Sequence, residues 1–135
     1  MKVLDNLKQA IDLLQQNEDY YSELYNLQSV TDKKIDFWLH YIELNNVPVT
    51  QAYKIIKEVK RLREQRRTIK NELELMKIFK DNEQKLGNAS NRRILLTQVS
   101  RTDNKQQNAK YSYDAYSEDE MNEILGIKKE VENEN

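Results

Sequence analysis

No cysteine occurs in the chain, and only one proline and two glycines do. Without cysteine there is no disulfide framework, which fits an intracellular setting. Few breakers mean few tight turns, so all-β and doubly wound architectures, which need a turn every ten residues or so, are disfavoured. No apolar run approaches the length of a membrane span. The opening stretch MKVLDNLKQAIDLL is interrupted by Asp5, Lys8 and Asp12. It offers no secretory signal core, so the protein is expected to stay in the cytoplasm of the cell that makes it.

What is present is charge. Charged residues make up 33% of the chain against 38% apolar, the balance of long, solvated helices rather than of a globule around a large core. The net charge of −1 hides a polarity along the chain. Residues 1–47 carry four basic and eight acidic side chains, a balance of −4, and residues 48–80 carry ten and four, a balance of +6. Residues 81–110 stand at +3 and residues 111–135 at −6. Such asymmetry between segments is the main electrostatic clue in the sequence.

Apolar periodicity supplies the fold class. A heptad runs through Leu4, Leu7, Ile11 and Leu14, then Glu18, Tyr21, Tyr25, Gln28, Asp32, Ile35, Leu39 and Ile42. It turns polar around Ser29 to Asp32, where Ser29 or Thr31 could cap a fresh helix. The pattern favours one long helix, kinked or loosened there, over two shorter ones. Asn45, Asn46, Val47 and Pro48 read as a turn, because proline disfavours helix in the residue before it. A second heptad follows at once through Ala52, Ile55, Val59, Leu62, Arg66, Ile69, Leu73 and Met76, ending before the Lys85–Leu86–Gly87 stretch. Two seams joined by a short turn fold back as an antiparallel pair. Pairing outward from the turn sets Ile42 by Ala52, Leu39 by Ile55, Ile35 by Val59, Tyr25 by Ile69 and Tyr21 by Leu73. It also sets Gln28 by Arg66, a matched polar layer of the kind that fixes register.

The predicted architecture is therefore all-α: a long antiparallel helical hairpin, or coiled coil, over residues 1–87. Short helices and a linker follow over 88–126, and a disordered acidic tail over 127–135. Within the middle part, Ile94, Leu95, Leu96 and Val99 fit a short helix, and RTDNKQQNAK at 101–110 reads as a polar linker. Ser117 with Glu120 forms a capping box for a second short helix bearing Met121, Ile124 and Leu125, closed by Gly126.

The sequence shows no catalytic apparatus. His40 is the only histidine, and although Asp36 and Glu43 share its helical face, three such ligands on one helix make a poor metal site. No phosphate-binding glycine loop can be built from two distant glycines. No nucleophile stands in a recognisable relation to a base. Neither enzymatic activity, a cofactor nor a metal is expected.

The sharpest local feature is the basic stripe at 54–70, KIIKEVKRLREQRRTIK, where eight cations face only Glu58 and Glu64. On the heptad, Lys57, Lys60, Arg61 and Arg67 fall outward. Like charges four residues apart destabilise an isolated helix, so an anionic partner is favoured. The acidic first helix, the acidic carboxyl-terminal region or nucleic-acid phosphates would serve. Tyr111, Tyr113 and Tyr116, after the polar linker, read as local packing or as a docking segment that orders on a partner.

The stretch from Ile35 to Leu75 resembles a group of small, uncharacterised helical coiled-coil proteins of phages and prophages of low-GC Gram-positive bacteria. The residues that carry the likeness are HYIE at 40–43, the short polar turn, AYK at 52–54 and RRTIKNELEL at 66–75. Pro48 departs from the pattern, standing where a capping serine is expected. The resemblance implies an intracellular accessory protein acting on phage or host machinery, with no activity or cofactor attached. The reading is thus a non-enzymatic binding protein that self-associates or docks on a protein partner. Its alternative is nucleic-acid binding through the basic stripe, with the acidic carboxyl terminus in competition.

Overall fold

The computed structural model of the chain describes residues 2–111 and 114–128. Tyr113 and most of the carboxyl-terminal tail lie outside them. Four α-helices follow in order: α1 (Lys2–Leu44), α2 (Val49–Asp81), α3 (Ala89–Gln107) and α4 (Glu118–Leu125), with a 3-10 turn at Glu83–Gly87 between α2 and α3. There is no strand among the described residues.

Helices α1 and α2 pack together across the Asn45–Pro48 turn as a helical hairpin. Pro48 holds the N-cap position of α2 with φ −60° and ψ 150°, the extended conformation that proline favours. It supplies no side-chain cap, but its carbonyl accepts from Ala52 N–H at 2.9 Å, so the helix starts without a serine. At the other end of the turn the Asn45 side chain donates to the Tyr41 carbonyl at 2.9 Å. α1 is a single helix through Ser29–Asp32, where Thr31 is not a cap but a buried residue, 2% exposed.

The seam of α2 follows its heptad residue for residue. Ile55, Leu62 and Ile69 are buried, and Ala52, Val59, Arg66, Leu73 and Met76 are half-buried between them. α1 corrects the expectation in one of its two rows. The seventh-residue row Leu14, Tyr21, Gln28 and Ile35 faces inward as predicted. The second row is Leu24, Thr31 and Trp38, one residue before the predicted Tyr25, Asp32 and Leu39. Tyr25, Leu39 and Ile42 remain 51%, 49% and 42% exposed, so they are not sealed inside the seam as expected. The physical reason is that α1 carries apolar side chains at both i+3 and i+4 from the shared row. Either spacing completes a helical seam, and only contact with α2 decides between them.

The polar layer is likewise displaced. Arg66 pairs with Asp32, not with Gln28, which lies one turn nearer the amino terminus. Gln28 and Thr31 still sit beside this pair in the seam, and no buried side-chain polar atom lacks a partner among the described residues.

The third helix is longer than the sequence suggests. Residues 101–107, read as a linker, continue α3. Arginine, lysine and glutamine are good helix formers, and polarity alone does not break a helix. The continuation is also anchored: Gln106 Nε2 donates to the Asn71 carbonyl at 3.1 Å and to Glu74 at 2.9 Å. Asn88 caps α3 by accepting from Ser90 and Asn91 N–H at 2.9 and 3.3 Å.

α2 is central. It packs on α1 and on α3, and among the described residues neither α1 with α3 nor α4 with any other helix approaches within backbone packing distance. Three helices side by side in one layer enclose little. Among the described residues six apolar ones are buried, including Leu62 at 1% exposure and Leu95 at 7%. The accessible surface is 11966 Å², against about 7,500 Å² for a compact monomer of this mass. Much of the surface that a globule would bury therefore faces outward.

Candidate functional site

The four cations singled out in the sequence do not form one patch. Lys57 lies 5.0 Å from the centroid of the Tyr53 ring, at its own helix surface. Lys60 is exposed. Arg61 is held by Glu58, with Arg61 Nε donating to Glu58 Oε2 at 3.0 Å. These hydrogen bonds hold the Glu58 carboxyl below the usual carboxylate range and raise the Arg61 guanidinium. Arg67 alone belongs to a different surface. Its guanidinium stacks on Tyr111, 3.7 Å from the ring centroid.

The structure gathers other cations around Arg67. Arg63, Arg66, Arg67 and Lys70 line one concavity on α2. At 3.6 residues per turn, positions 63, 66, 67 and 70 share one face of a helix. Arg66 Nε donates to Asp32 Oδ1 at 2.6 Å on the α1 side. Arg63 and Lys70 are exposed and enter no ion pair among the described residues. The sequence placed all four in the basic stripe at 54–70, but the hairpin reading assigned Arg66 to the seam and did not count Arg63 or Lys70 among the outward partner-binding cations. What makes them a site is that α3 stops at Gln107, beside Asn71, and leaves the basic face of α2 uncovered towards the hairpin turn.

Tyr111 is the first of the predicted aromatic residues and the one brought to the cations. Tyr116 is 58% exposed, and Tyr113 lies outside the described residues. The Ser117 capping box is present: Glu120 N–H donates to Ser117 Oγ at 3.1 Å, and Ser117 N–H to Glu120 Oε1 at 3.4 Å. Gly126 closes α4 at φ 69°, the left-handed conformation that favours glycine. Four carboxylates on α4, Glu118, Asp119, Glu120 and Glu123, follow Tyr111 by seven to twelve residues.

A second surface runs along α1. Leu13, Tyr20, Leu27, Val30, Phe37 and Leu44 are all exposed and recur at spacings of three and seven residues, a second apolar stripe beside the one that α2 covers. Towards the turn it ends in an aromatic cluster. Phe37 meets Trp38 edge-on at 5.1 Å between ring centroids and Tyr41 at 6.2 Å, and Trp38 meets Tyr41 at 5.7 Å. Trp38 and Tyr41 also line a groove with Gln51, Lys54 and Ile55 of α2. Sequence reasoning missed this stripe because it followed one seam along α1 and left the apolar residues beside that seam, Leu13, Tyr20, Leu27, Val30, Phe37 and Leu44, without a role.

His40 Nδ1 lies 3.3 Å from Glu43 Oε2 on the exposed side of α1. Among the described residues no group of three histidines or carboxylates is placed to hold a metal ion, and no helix is long and apolar enough to cross a membrane. Compared with protein-family models, with curated proteins and with solved structures, the chain matches none of them.

Proposed function

We propose that this chain is a non-enzymatic binding protein that presents the aromatic edge of its hairpin to a protein partner, as an accessory protein acting on phage or host machinery in the bacterial cytoplasm. One observation carries the reading: α1 has two apolar stripes, and the hairpin buries only one. Phe37, 58% exposed and braced by Trp38 and Tyr41, is the kind of rigid aromatic anchor that dominates protein interfaces. A helix laid along Leu27, Val30 and Phe37 would cover the second stripe as α2 covers the first.

The test is recovery of partners from a lysate of a low-GC Gram-positive host on the tagged full-length protein, with nuclease treatment and mass spectrometry, beside light scattering of the purified chain. A nuclease-resistant partner held by the native chain and lost with Phe37→Ser or Val30→Ser supports the reading. So does a concentration-dependent dimer that the same substitutions dissociate. A strict monomer that captures no protein, or capture indifferent to both substitutions, overturns it.

A further inference from the structure

We propose that the outer stripe of α1 takes a second copy of this chain: two hairpins join along it with their α1 helices antiparallel, Leu13 of each against Leu44 of the other. The inference rests on the reading of that stripe as a binding surface and names its occupant. From Leu13 to Leu44 the stripe advances in alternating steps of three and four residues, the coiled-coil period. Every position on it is exposed except Tyr41, which is half-buried. Two of its positions are charged, Glu23 and Lys34, and they are placed symmetrically. Glu23 comes ten residues after Leu13, and Lys34 ten before Leu44. Neither enters an ion pair among the described residues. Lys34 stands near Glu58, which Arg61 already holds, and Glu23 near Tyr20.

That symmetry selects a second copy. Laid antiparallel with Leu13 opposite Leu44, two α1 helices bring Glu23 of each onto Lys34 of the other, two opposite-charge pairs in one contact. The apolar positions match in the same register, Tyr20 meeting Phe37 and Leu27 meeting Val30. A parallel pairing would oppose Glu23 to Glu23 and Lys34 to Lys34. Sliding the antiparallel pair by one heptad in either direction would set Lys34 on Gln16 or on Val30. One arrangement alone therefore satisfies both charges. The flank away from α2 agrees: Asp12, Asp19 and Lys33 lie on one exposed row at multiples of seven residues, so the same packing brings Asp19 beside Lys33 of the other copy.

The hairpin leaves room for this neighbour. Leu13, Tyr20 and Leu27 stand one residue before Leu14, Tyr21 and Gln28 of the row that faces α2, a turn of about 100° round the helix. A helix on the stripe lies round the corner from α2, as neighbouring helices of a four-helix bundle do, so two hairpins make one bundle. Between Leu13 and Leu44 the contact runs for about 47 Å. The chain exposes about 4,500 Å² more than a compact monomer of its mass, well beyond the roughly 800 Å² per partner that a standard interface covers.

The experiment is sedimentation equilibrium of the full-length chain, which should give twice the chain mass of 16.2 kDa. Glu23→Lys and Lys34→Glu should each weaken the dimer by about tenfold or more, because each variant then opposes like charges twice. Both residues are exposed in the hairpin, so helicity by circular dichroism should stay unchanged. Mixing the two variants should restore association to within about threefold of the native chain, since every charged contact in the mixed dimer again joins opposite signs. The chain has no cysteine, so Leu13→Cys mixed with Leu44→Cys should form a disulfide across the contact under mild oxidation. Neither variant alone should, its two cysteines lying at opposite ends of the bundle. A monomer at every concentration, a dimer indifferent to either charge reversal, no recovery on mixing, or crosslinking of either cysteine variant with itself would overturn the proposal. A monomer that still captures a protein through Phe37 sinks self-pairing and leaves the partner reading standing, whereas a monomer that captures nothing overturns both.

Discussion

Arg66 of α2 donates from Nε to Asp32 Oδ1 of α1 at 2.6 Å, joining the two arms of the hairpin by an ion pair within a mainly apolar seam. Both side chains keep contact with water, at 31% and 43% exposure, so the pair stabilises only modestly. Its larger effect is on register: a slide of either helix by one turn would separate the two charges and leave Arg66 half-buried without its partner.

A double-mutant cycle on Asp32→Asn and Arg66→Gln should therefore give a coupling energy of about 0.5–1 kcal/mol by urea denaturation. Replacing both by leucine should leave stability equal or higher while loosening the specificity of pairing. A coupling indistinguishable from zero would mean that the apolar seam sets the register alone.

The corrected seam makes a sharper forecast. Leu24 is 3% exposed and Leu62 is 1% exposed, so Leu24→Ala and Leu62→Ala should each cost about 2–4 kcal/mol. Leu39→Ala, at a position 49% exposed, should cost less than about 1 kcal/mol. Denaturation midpoints for the three variants decide between the two rows, and the opposite ranking would restore the Tyr25, Asp32 and Leu39 row.

Tyr20 joins the two arms near the open end, its hydroxyl donating to Glu72 Oε2 at 3.2 Å. Partial burial, then the nearby Glu72 carboxylate, raises its pKa above the ordinary 10.0. A raised folded-state pKa favours the protonated phenol. The stability it contributes is present in full below the ordinary value and is lost as pH rises through the folded one. Thermal unfolding followed between neutral pH and about 11 should show an alkaline loss that shrinks in Tyr20→Phe. An identical alkaline profile in the variant would refute the assignment.

Helix α4 should behave as an independent unit, because it packs on no other helix and is held by its caps. Ser117→Ala should remove about 1 kcal/mol from a helix of marginal length and melt it. Amide chemical shifts of 118–125 should move to coil values while the unfolding midpoint of the hairpin stays unchanged.

The sequence by itself determined the helices, the turn and the caps, because each depends on neighbours in the chain. Pro48 marked the start of α2, Ser117 with Glu120 and Gly126 bounded α4, and the heptad of α2 fixed its seam, since the stretch from 57 to 70 carries no apolar residue outside it. Tertiary structure decided whatever the local pattern left degenerate. α1 carries apolar residues on adjoining rows, so which face was buried depended on contact with α2, and the unused apolar residues became a surface. Residues 101–107 read as a linker by composition, but hydrogen bonds from Gln106 to α2 keep them helical. The basic stripe was plain in the sequence, yet Arg63, Arg66, Arg67 and Lys70 became one concavity only because α3 ends short of them and Tyr111 stacks on Arg67. Charge and periodicity are written along the chain, but which faces stay open depends on where the other helices stop.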